Sequence, residues 1–199
     1  MKSVNLLLKL ILDYFLAVIL IIIFFIPIIL ISLLIYFIDG GSIFFIQSRA
    51  GFNGKLINVY KFKTINNFNR KKTVSKFGKF LRITRLDEIP QILNILKGDL
   101  SFVGPRPLYK KYVRLYNSSQ KKRLTMKPGI TGWAQINGDN NISWKKKFEL
   151  DLWYINNFNI FVDIKIIVNT VFFFTKNIIF YNKVKYKKKV IDKEFNGKN

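Results

Sequence analysis

The longest uninterrupted apolar stretch lies near the beginning of the chain. Residues 14–38 form a run of 25 residues without a charged side chain. A helix needs about 20 apolar residues to cross a hydrocarbon core of roughly 30 Å, so this run is long enough to do so. It is longer than the apolar part of a secretory signal peptide, and no small-residue cleavage site follows it. The pattern therefore predicts a membrane segment over residues 1–38.

Pro27 lies at the centre of this run and leaves two arrangements open. Proline removes a helical hydrogen bond and crowds the preceding turn. One arrangement is a kinked helix that spans the bilayer, because membrane proteins tolerate such kinks. The other is a helix–break–helix hairpin that enters and leaves the membrane on one side. Lysines and arginines flank the run at both ends, so the positive-inside rule favours neither arrangement strongly.

The middle of the chain alternates short periodic segments with turns. Two β-rich pieces, IFFIQ and INVYKF, flank Gly51 and Gly54 and predict a β-hairpin within residues 42–65. Residues 66–80 are polar and basic, which indicates an exposed loop or a short helix. Residues 109–127 are basic and predict a helix. The segments GPRP, residues 104–107, and KPGITGWAQING, residues 127–138, predict stiff or glycine-rich loops.

A short amphipathic helix is predicted over residues 88–96. Its apolar residues fall at helical spacing: Ile89, Ile92, Leu93 and Leu96. Proline is tolerated only in the first turn of a helix, so Pro90 requires the helix to start near Asp87. Asp87 and Glu88 are therefore expected at a helix N-terminus, where the free N–H groups stabilise anions.

The last third of the chain combines apolar and basic residues. Residues 161–181 are apolar but contain Asp163, Lys165 and Lys176, which suits a helix in the membrane interface better than a second span. Residues 183–199 begin with the polybasic run KVKYKKK, which would bind an anionic leaflet. A disordered solubilising tail is the alternative for this segment. The boundaries predicted are a membrane segment, 1–38, a catalytic domain, 39–182, and a tail, 183–199.

The amino-acid composition limits the kinds of catalytic and metal sites that the chain can form. The chain has 199 residues, a formal net charge of +23, no histidine and no cysteine. Imidazole bases, thiolate nucleophiles and Cys/His metal sites are therefore excluded. The positive charge favours anionic partners such as anionic lipid, nucleic acid or phosphorylated substrates.

Asp87 and Glu88 are the only two acidic residues that are adjacent in this basic chain. A carboxylate can act as a covalent nucleophile or as a ligand of a hard metal ion. Ordinary helix capping is the alternative explanation for an acidic pair at a helix start. The distribution of arginines favours a functional role for this acidic pair. The chain has only seven arginines, and four of them flank acidic or Gly/Pro-rich motifs. These are Arg49, Arg82, Arg85 and Arg106. Arginine binds phosphate through two parallel hydrogen bonds, whereas lysine acts as a point charge.

Taken together, these segments resemble the bacterial sugar transferases, the monotopic phosphoglycosyl transferases in their small single-domain form. The resemblance extends to about residue 170. It rests on four segments in the family's order: FFIQSRAGFNGKLINVYKFKT, LRITRLDEIPQILNILKGDLSFVGPRPL, PGITGWAQING and FELDLWYINNFNIFVDIKIIVNT. It implies a mostly helical α+β protein, monotopic and membrane-associated, with an N-terminal re-entrant hairpin broken at Pro27, a small β-hairpin and interfacial amphipathic helices.

The resemblance also implies a reaction. A UDP-sugar and polyprenol (undecaprenyl) phosphate would give polyprenol-diphosphate-sugar and UMP, the first membrane step of glycan assembly. Asp87 would form a covalent phosphosugar, and Glu88 would hold Mg²⁺ with it, orient it or assist proton transfer. The expected phosphate and substrate contacts are Arg106, Arg82, Lys61, Arg85, Arg49 and Gln135.

The implied setting is the cytoplasmic face of a bacterial inner membrane. The expected partners are the UDP-sugar, polyprenol phosphate and the anionic lipid surface, not nucleic acid; further candidates are an oligomer and downstream glycosyltransferases. Two alternatives remain from the sequence. One is a non-catalytic membrane-surface protein that binds anionic lipid or nucleic acid, and the other is an inactive paralogue in a glycan-assembly complex.

Overall fold

A computed structural model describes residues 2–39, 42–68, 71–138, 142–179 and 194–197. Most of these residues are helical and the strands are short, which confirms the mostly helical α+β class. The helices are α1 (Lys2–Asp39), α2 (Lys76–Ile83), α3 (Ile92–Leu96), α4 (Lys110–Val113), α5 (Ser118–Lys121), α6 (Trp133–Ile136), α7 (Trp144–Asn156) and α8 (Ile160–Ile179). The strands are β1 (Phe44–Ala50), β2 (Leu56–Phe62), β3 (Asn66–Phe68), β4 (Lys71–Thr73), β5 (Ser101–Val103) and β6 (Gly129–Thr131). Short 3₁₀ helices lie at Phe52–Gly54, Leu86–Gln91 and Lys122–Thr125.

Helix α1 is continuous over 38 residues and contains Pro27. The break expected at this proline is therefore not observed in the helix. A proline inside a helix removes one hydrogen bond, a loss that an apolar membrane helix tolerates. Ser3–Ile38 is long and apolar enough to cross a membrane, and it is the one such helix among the described residues. Side chains such as Ile22 and Phe37 are more than 70% exposed, which fits contact with lipid.

One face of α1 packs against the rest of the chain on both sides of Pro27. Before the proline, Ala17 is fully buried in an apolar cluster with residues of β2 and α3. After the proline, Ile31 and Ile35 pack against Phe62 of β2 and Leu81 of α2. The apolar segment is therefore part of the domain core as well as a candidate membrane segment.

The predicted β-hairpin is confirmed. Strands β1 and β2 pair antiparallel, from Phe44 opposite Phe62 to Ala50 opposite Leu56. The turn places Asn53 and Gly54 at φ +51° and +73°, a left-handed conformation that these two residue types adopt most readily. Strand β2 then packs on the 3₁₀ segment Leu86–Gln91, which carries the acidic pair.

The polar stretch 66–80 differs from its prediction as a loop or short helix. It contains a second antiparallel hairpin, β3–β4, and the start of α2. Pairing the two strands satisfies backbone groups that a loop would leave to water. Helix α2 begins where the Ser75 side chain accepts a hydrogen bond from the Gly78 N–H at 2.9 Å, a regular N-cap.

The basic stretch 109–127 is a series of short elements instead of one helix. Helices α4 and α5 are followed by the 3₁₀ segment Lys122–Thr125. The interruption occurs at Asn117, which starts α5 with a reciprocal capping box to Gln120. An N-cap residue takes a non-helical conformation, so a helix cannot continue through it. The predicted loop 127–138 likewise contains β6 and α6.

Strands β5 and β6 form a parallel pair that leads directly into the GPRP loop. Gly104 and Gly129 touch at this point, because a Cβ added to Gly129 would lie 2.1 Å from the Gly104 nitrogen. Val103 of β5 is buried with Tyr154 of α7 and Ile166 of α8. The loop that carries Arg106 is thus fixed at its start by a backbone contact that only glycine permits.

Candidate active site

Asp87 and Glu88 lie in the connection between α2 and α3. Helix α2 ends at Ile83 with Thr84 as its C-cap, and Arg85 follows in a left-handed conformation with φ +59°. This reversal turns the chain into the 3₁₀ segment Leu86–Gln91, where both acidic side chains are buried. The acidic pair thus begins a helical segment, as the sequence predicts, but the first turn is 3₁₀ instead of α.

The 3₁₀ turn changes which side chains the helix buries. A 3₁₀ helix has 3.0 residues per turn and an α-helix has 3.6, so the apolar face shifts where one replaces the other. Ile92 and Ile95 are buried, whereas Leu93, predicted on the apolar face, is 44% exposed. Continuous α-helical spacing is therefore the wrong assumption for residues 88–96.

Glu88 is surrounded by cations. Its Oε1 atom lies 2.5 Å from Lys61 Nζ, 3.5 Å from Arg106 Nη2 and 3.8 Å from Arg85 Nη1. Burial alone would raise the pKa of Glu88, but Lys61, Arg106 and Arg85 together hold it well below its ordinary value. Glu88 is therefore a permanent anion that joins β2, the GPRP loop and the α2–α3 turn.

Asp87 has the opposite environment. Its side chain is buried, and its Oδ1 atom has no hydrogen-bond partner among the described residues. Burial, and secondly the neighbouring charge of Glu88, raises the pKa of Asp87 from 3.8 to about 6, against the opposing effects of Lys61, Arg85 and Arg82. Two adjacent carboxyl groups thus have separate properties: one is fixed in ion pairs, and the other keeps an unpaired oxygen.

The structure brings most of the predicted site residues together. Lys61, Arg85 and Arg106 are ion-pair partners of Glu88, and Arg82 acts electrostatically on Asp87. Arg82 is held in place by a 2.7 Å hydrogen bond from Nε to the Thr64 hydroxyl. The result is a cluster with more cationic than anionic groups, which suits a ligand that carries phosphate.

Arg49 and Gln135, the other two predicted residues, do not contact the acidic pair. The Arg49 guanidinium stacks on the Tyr109 ring, 3.7 Å from its centroid, and donates to the Gln47 side chain. Burial, with Arg106 contributing, lowers the pKa of Arg49. Gln135 of α6 lies beside Gly132, and neither its Oε1 nor its Nε2 has a hydrogen-bond partner in the described part of the chain.

Trp133, the first residue of α6, stacks on Trp153 of α7 with ring centroids 4.4 Å apart. Lys165 Nζ lies 5.7 Å from the Trp133 ring centroid. This arrangement joins α6, α7 and α8 on one side of the domain.

Buried polar residues without a motif of their own in the sequence support the site. Asn94 of α3 is fully buried, accepts a hydrogen bond from the Tyr60 N–H and donates to the Asn58 carbonyl. It therefore ties β2, which carries Lys61, to the helix that follows the acidic pair. An asparagine inside the apolar segment QILNILKG is the sequence signal that could have identified it.

Arg123 supports the GPRP loop in a similar way. It is buried and donates to the Asp151 carboxylate, the Tyr116 hydroxyl and the backbone carbonyl of Arg106, each at 2.8 Å. Arg123 is one of only seven arginines in the chain, and that scarcity is the signal that could have drawn attention to it.

Few side chains of the candidate site are able to coordinate Mg²⁺. No group of three or more His, Cys, Asp or Glu side chains able to hold a metal occurs in the described part of the chain. Mg²⁺ characteristically takes one or two carboxylates, substrate phosphates and several waters, so a small donor set suffices. The unpaired Asp87 oxygen fits this role, whereas Glu88 Oε1 already lies among three cations. The assignment of both residues as metal ligands stays a prediction.

Comparisons with known proteins agree with the motifs. The family model described as bacterial sugar transferase matches residues 4–177. An uncharacterized sugar transferase of Bacillus subtilis, EpsL, is 50% identical over 140 residues, which cover 66% of this chain and 69% of that protein. The galactosyl transferase CpsE of Streptococcus agalactiae is 41% identical over 154 residues, which cover 66% of this chain and 34% of that protein.

A third relative is the UDP-glucose:undecaprenyl-phosphate glucose-1-phosphate transferase of Escherichia coli. It is 37% identical over 190 residues, which cover 86% of this chain and 41% of that protein. The chain thus spans about two fifths of the E. coli relative and a third of the streptococcal one. The family model covers most of the chain, including the acidic pair and the GPRP loop. This chain belongs to the bacterial sugar transferase family.

Proposed function

We propose that this protein transfers a sugar 1-phosphate from a UDP-sugar to undecaprenyl phosphate and releases UMP. The observation that carries the proposal is the division of roles between the two acidic residues. Glu88 is fixed by Lys61, Arg85 and Arg106, whereas Asp87 keeps a buried oxygen without a partner. A buried carboxylate that is not neutralised by an ion pair is suited to attack phosphorus.

The proposed reaction has two steps. An Asp87 oxygen attacks the β-phosphorus of the UDP-sugar, the bond from that phosphorus to the bridging oxygen breaks, and UMP leaves with the bond electrons. A phosphate oxygen of the lipid then attacks the same phosphorus and displaces the Asp87 carboxylate, which is regenerated. Covalent catalysis of this kind divides one difficult transfer into two easier ones.

The surrounding cations make the first step feasible. An anionic nucleophile and an anionic diphosphate repel each other, and fixed positive charge offsets that repulsion. Arg82, Arg85 and Arg106 supply such charge close to Asp87 and Glu88. Bound Mg²⁺, with Asp87 and the donor phosphates as ligands, would contribute further charge neutralisation.

We also propose that both ends of α1 lie on the cytoplasmic side of the inner membrane. Core contacts occur at Ala17 and again at Ile31, only 14 positions later. A span of the hydrocarbon core needs about 20 residues, so this separation supports a segment that does not cross the bilayer. The bend that a re-entrant path requires would occur at Pro27.

The reaction is tested by measuring UMP release in detergent with undecaprenyl phosphate and Mg²⁺. The donors should include UDP-glucose and UDP-galactose, because the names of the relatives include both glucose-1-phosphate and galactosyl transferases. Asp87→Asn is expected to abolish turnover and the covalent phosphosugar. Glu149→Gln, a carboxylate on the exposed face of α7, is the matched control and is expected to keep full activity.

Two results would contradict the proposal. Turnover retained in Asp87→Asn would exclude Asp87 as the nucleophile. Absence of UMP with every donor, from a protein shown to be folded, would instead favour a non-catalytic role, and lipid binding that weakens with salt would then be the next measurement.

The proposed topology is tested by labelling with a membrane-impermeant maleimide. The chain contains no cysteine, so Ser3→Cys and Ser42→Cys each introduce a single reactive site, one at either end of α1. Equal labelling of both variants in inverted vesicles, and of neither in right-side-out vesicles, is expected. Labelling from opposite sides would refute the proposal.

A further inference from the structure

The segment 194–197 docks on the domain through one aromatic residue. Phe195 is only 2% exposed, although its neighbours in the sequence KEFNGKN are polar. Its ring lies 5.0 to 6.0 Å, centroid to centroid, from four aromatic rings that we name the aromatic cage: Tyr112, Tyr116, Trp144 and Phe148. A single aromatic residue buried so fully from a polar segment is an anchor, because ring burial is the main favourable contribution such a segment can make.

A lysine at the edge of the aromatic cage forms an ion pair with the residue that precedes Phe195. Lys111 Nζ lies 2.8 Å from a Glu194 carboxylate oxygen, and both side chains are more than half exposed. An exposed ion pair contributes little to affinity. The cage therefore recognises an acidic–aromatic dipeptide chiefly through the ring, and the lysine favours an acidic residue before it.

The aromatic cage is connected to the GPRP loop by Arg123. The Arg123 guanidinium lies 5.6 Å from the Tyr116 ring centroid and 5.4 Å from that of Phe148, so two members of the cage pack against it. It also donates to the Tyr116 hydroxyl and to the Arg106 carbonyl, each at 2.8 Å. A continuous set of contacts thus runs from Phe195 through Arg123 to the loop that carries Arg106.

We infer that the aromatic cage is a docking site for the chain's own Glu194–Phe195 segment, and that the docked ring positions Arg106 through Arg123. Without Phe195 the four cage rings lose a common partner, and Tyr116 and Phe148 are free to move away from Arg123. Arg123 keeps its ion pair with Asp151 but loses the packing of these two rings, so its hydrogen bond to the Arg106 carbonyl is held less firmly and the Arg106 side chain shifts from its position beside Glu88. The catalytic consequence of this docking rests on the function proposed above, whereas the docking itself does not.

Docking is measured with the fluorescence of Trp144, whose ring centroid is 5.5 Å from that of Phe195. Trp133→Phe and Trp153→Phe leave Trp144 as the one tryptophan of the chain. In this background, deletion of residues 194–199 and the variant Phe195→Ala are both expected to shift Trp144 emission to the red. Lys146→Gln, an exposed change on the same helix, is the control and is expected to leave the emission unchanged.

The truncated protein also allows docking to be measured in trans. A peptide of residues 190–199 is expected to bind it and to reverse the emission shift. Phe195→Ala in the peptide should weaken binding about a hundredfold or more, because a buried ring is lost. Glu194→Gln should weaken it less than about fivefold, because only an exposed ion pair is lost.

The effect on the active site has two readouts. Truncation is expected to increase hydrogen exchange in residues 101–113 and to lower kcat/KM for the UDP-sugar about tenfold or more, since a small displacement of a catalytic group is costly. The wild-type peptide should reverse both effects. Phe195→Leu, which keeps an apolar side chain, should retain part of the activity and so separate loss of docking from misfolding.

Each outcome decides one part of the inference. Unchanged Trp144 emission after truncation would refute docking. A shifted emission with unchanged hydrogen exchange in residues 101–113 would refute the positioning of Arg106. If the full chain releases no UMP, the proposed function fails by itself, and fluorescence and hydrogen exchange still decide the inference.

Discussion

Replacing Asp87 by asparagine is expected to make the protein more stable while it removes the proposed nucleophile. The folded structure favours the neutral form of this side chain, because it is buried, because Glu88 is adjacent and because its Oδ1 atom has no hydrogen-bond partner in the described part of the chain. Asparagine has nearly the same shape and no charge. Residues placed for chemistry often reduce stability in this way.

The magnitude follows from the pKa. The pKa of Asp87 rises from an ordinary value of 3.8 to about 6 in the folded protein. At about 1.4 kcal/mol per pH unit, the ionised side chain costs the folded state about 3 kcal/mol at pH 7. Because the folded pKa is the higher of the two, this cost appears as pH rises from about 4 to 6 and is constant above that range. The gain in the free energy of unfolding that Asp87→Asn gives over the wild type should therefore be about half as large at pH 5 as at pH 7.

Thermal unfolding in detergent at pH 7 and pH 5 measures this prediction. For a chain of this length, about 3 kcal/mol corresponds to an increase in Tm of roughly 6–12 °C. Glu88→Gln is the matched control with the opposite expected sign, because Lys61, Arg106 and Arg85 hold the pKa of Glu88 below its ordinary value and so its carboxylate stabilises the fold. A lower Tm for Asp87→Asn at pH 7, or an advantage equal at both pH values, would refute the reasoning.

Three further predictions concern the site and its supports. The rate of the single UMP release that occurs without the lipid acceptor should fall about tenfold from pH 7 to pH 5 as Asp87 becomes protonated. Added Mg²⁺ should move this decline to lower pH, and a rate that does not change with pH would contradict the prediction. Lys9→Met should lower stability by about 3–5 kcal/mol, because Asp163 loses its buried partner, and adding Asp163→Asn should restore part of the Tm. Gly129→Ala should lower both Tm and activity, since the new Cβ would overlap the Gly104 nitrogen; a variant with wild-type Tm would show that the backbone can separate there.

The sequence predicts features that local rules determine. Pro90 requires a helical segment to begin near Asp87, and the turn residues between IFFIQ and INVYKF require a hairpin, so both elements could be located without a structure. The position of the acidic pair at the start of a helical segment follows from the same rules. Candidate phosphate ligands could be listed because arginine is rare in this chain.

Features that depend on distant contacts could not be predicted in the same way. Which carboxylate receives the cations depends on how β2 and the GPRP loop approach the α2–α3 turn, and only the folded structure shows that Lys61 and Arg106 meet at Glu88. The roles of Arg49 and Gln135 could not be separated from those of the other candidates for the same reason. Composition also could not show that Arg123 contacts the Arg106 carbonyl, because those residues are 17 positions apart.

The contacts of α1 show that this candidate membrane segment is also tied to the rest of the domain by polar side chains. Lys9 Nζ donates to the Val103 carbonyl at 2.8 Å, and Asp13 accepts from the Phe102 N–H at 3.0 Å. Both partners are in β5, the strand that leads directly into the loop carrying Arg106. Ionisable residues are costly in an apolar helix and are retained where they make specific contacts. Since these two bind the backbone of the strand before the GPRP loop, the candidate membrane segment and the candidate active site form one structural unit, and displacing α1 from the domain would also disturb Arg106.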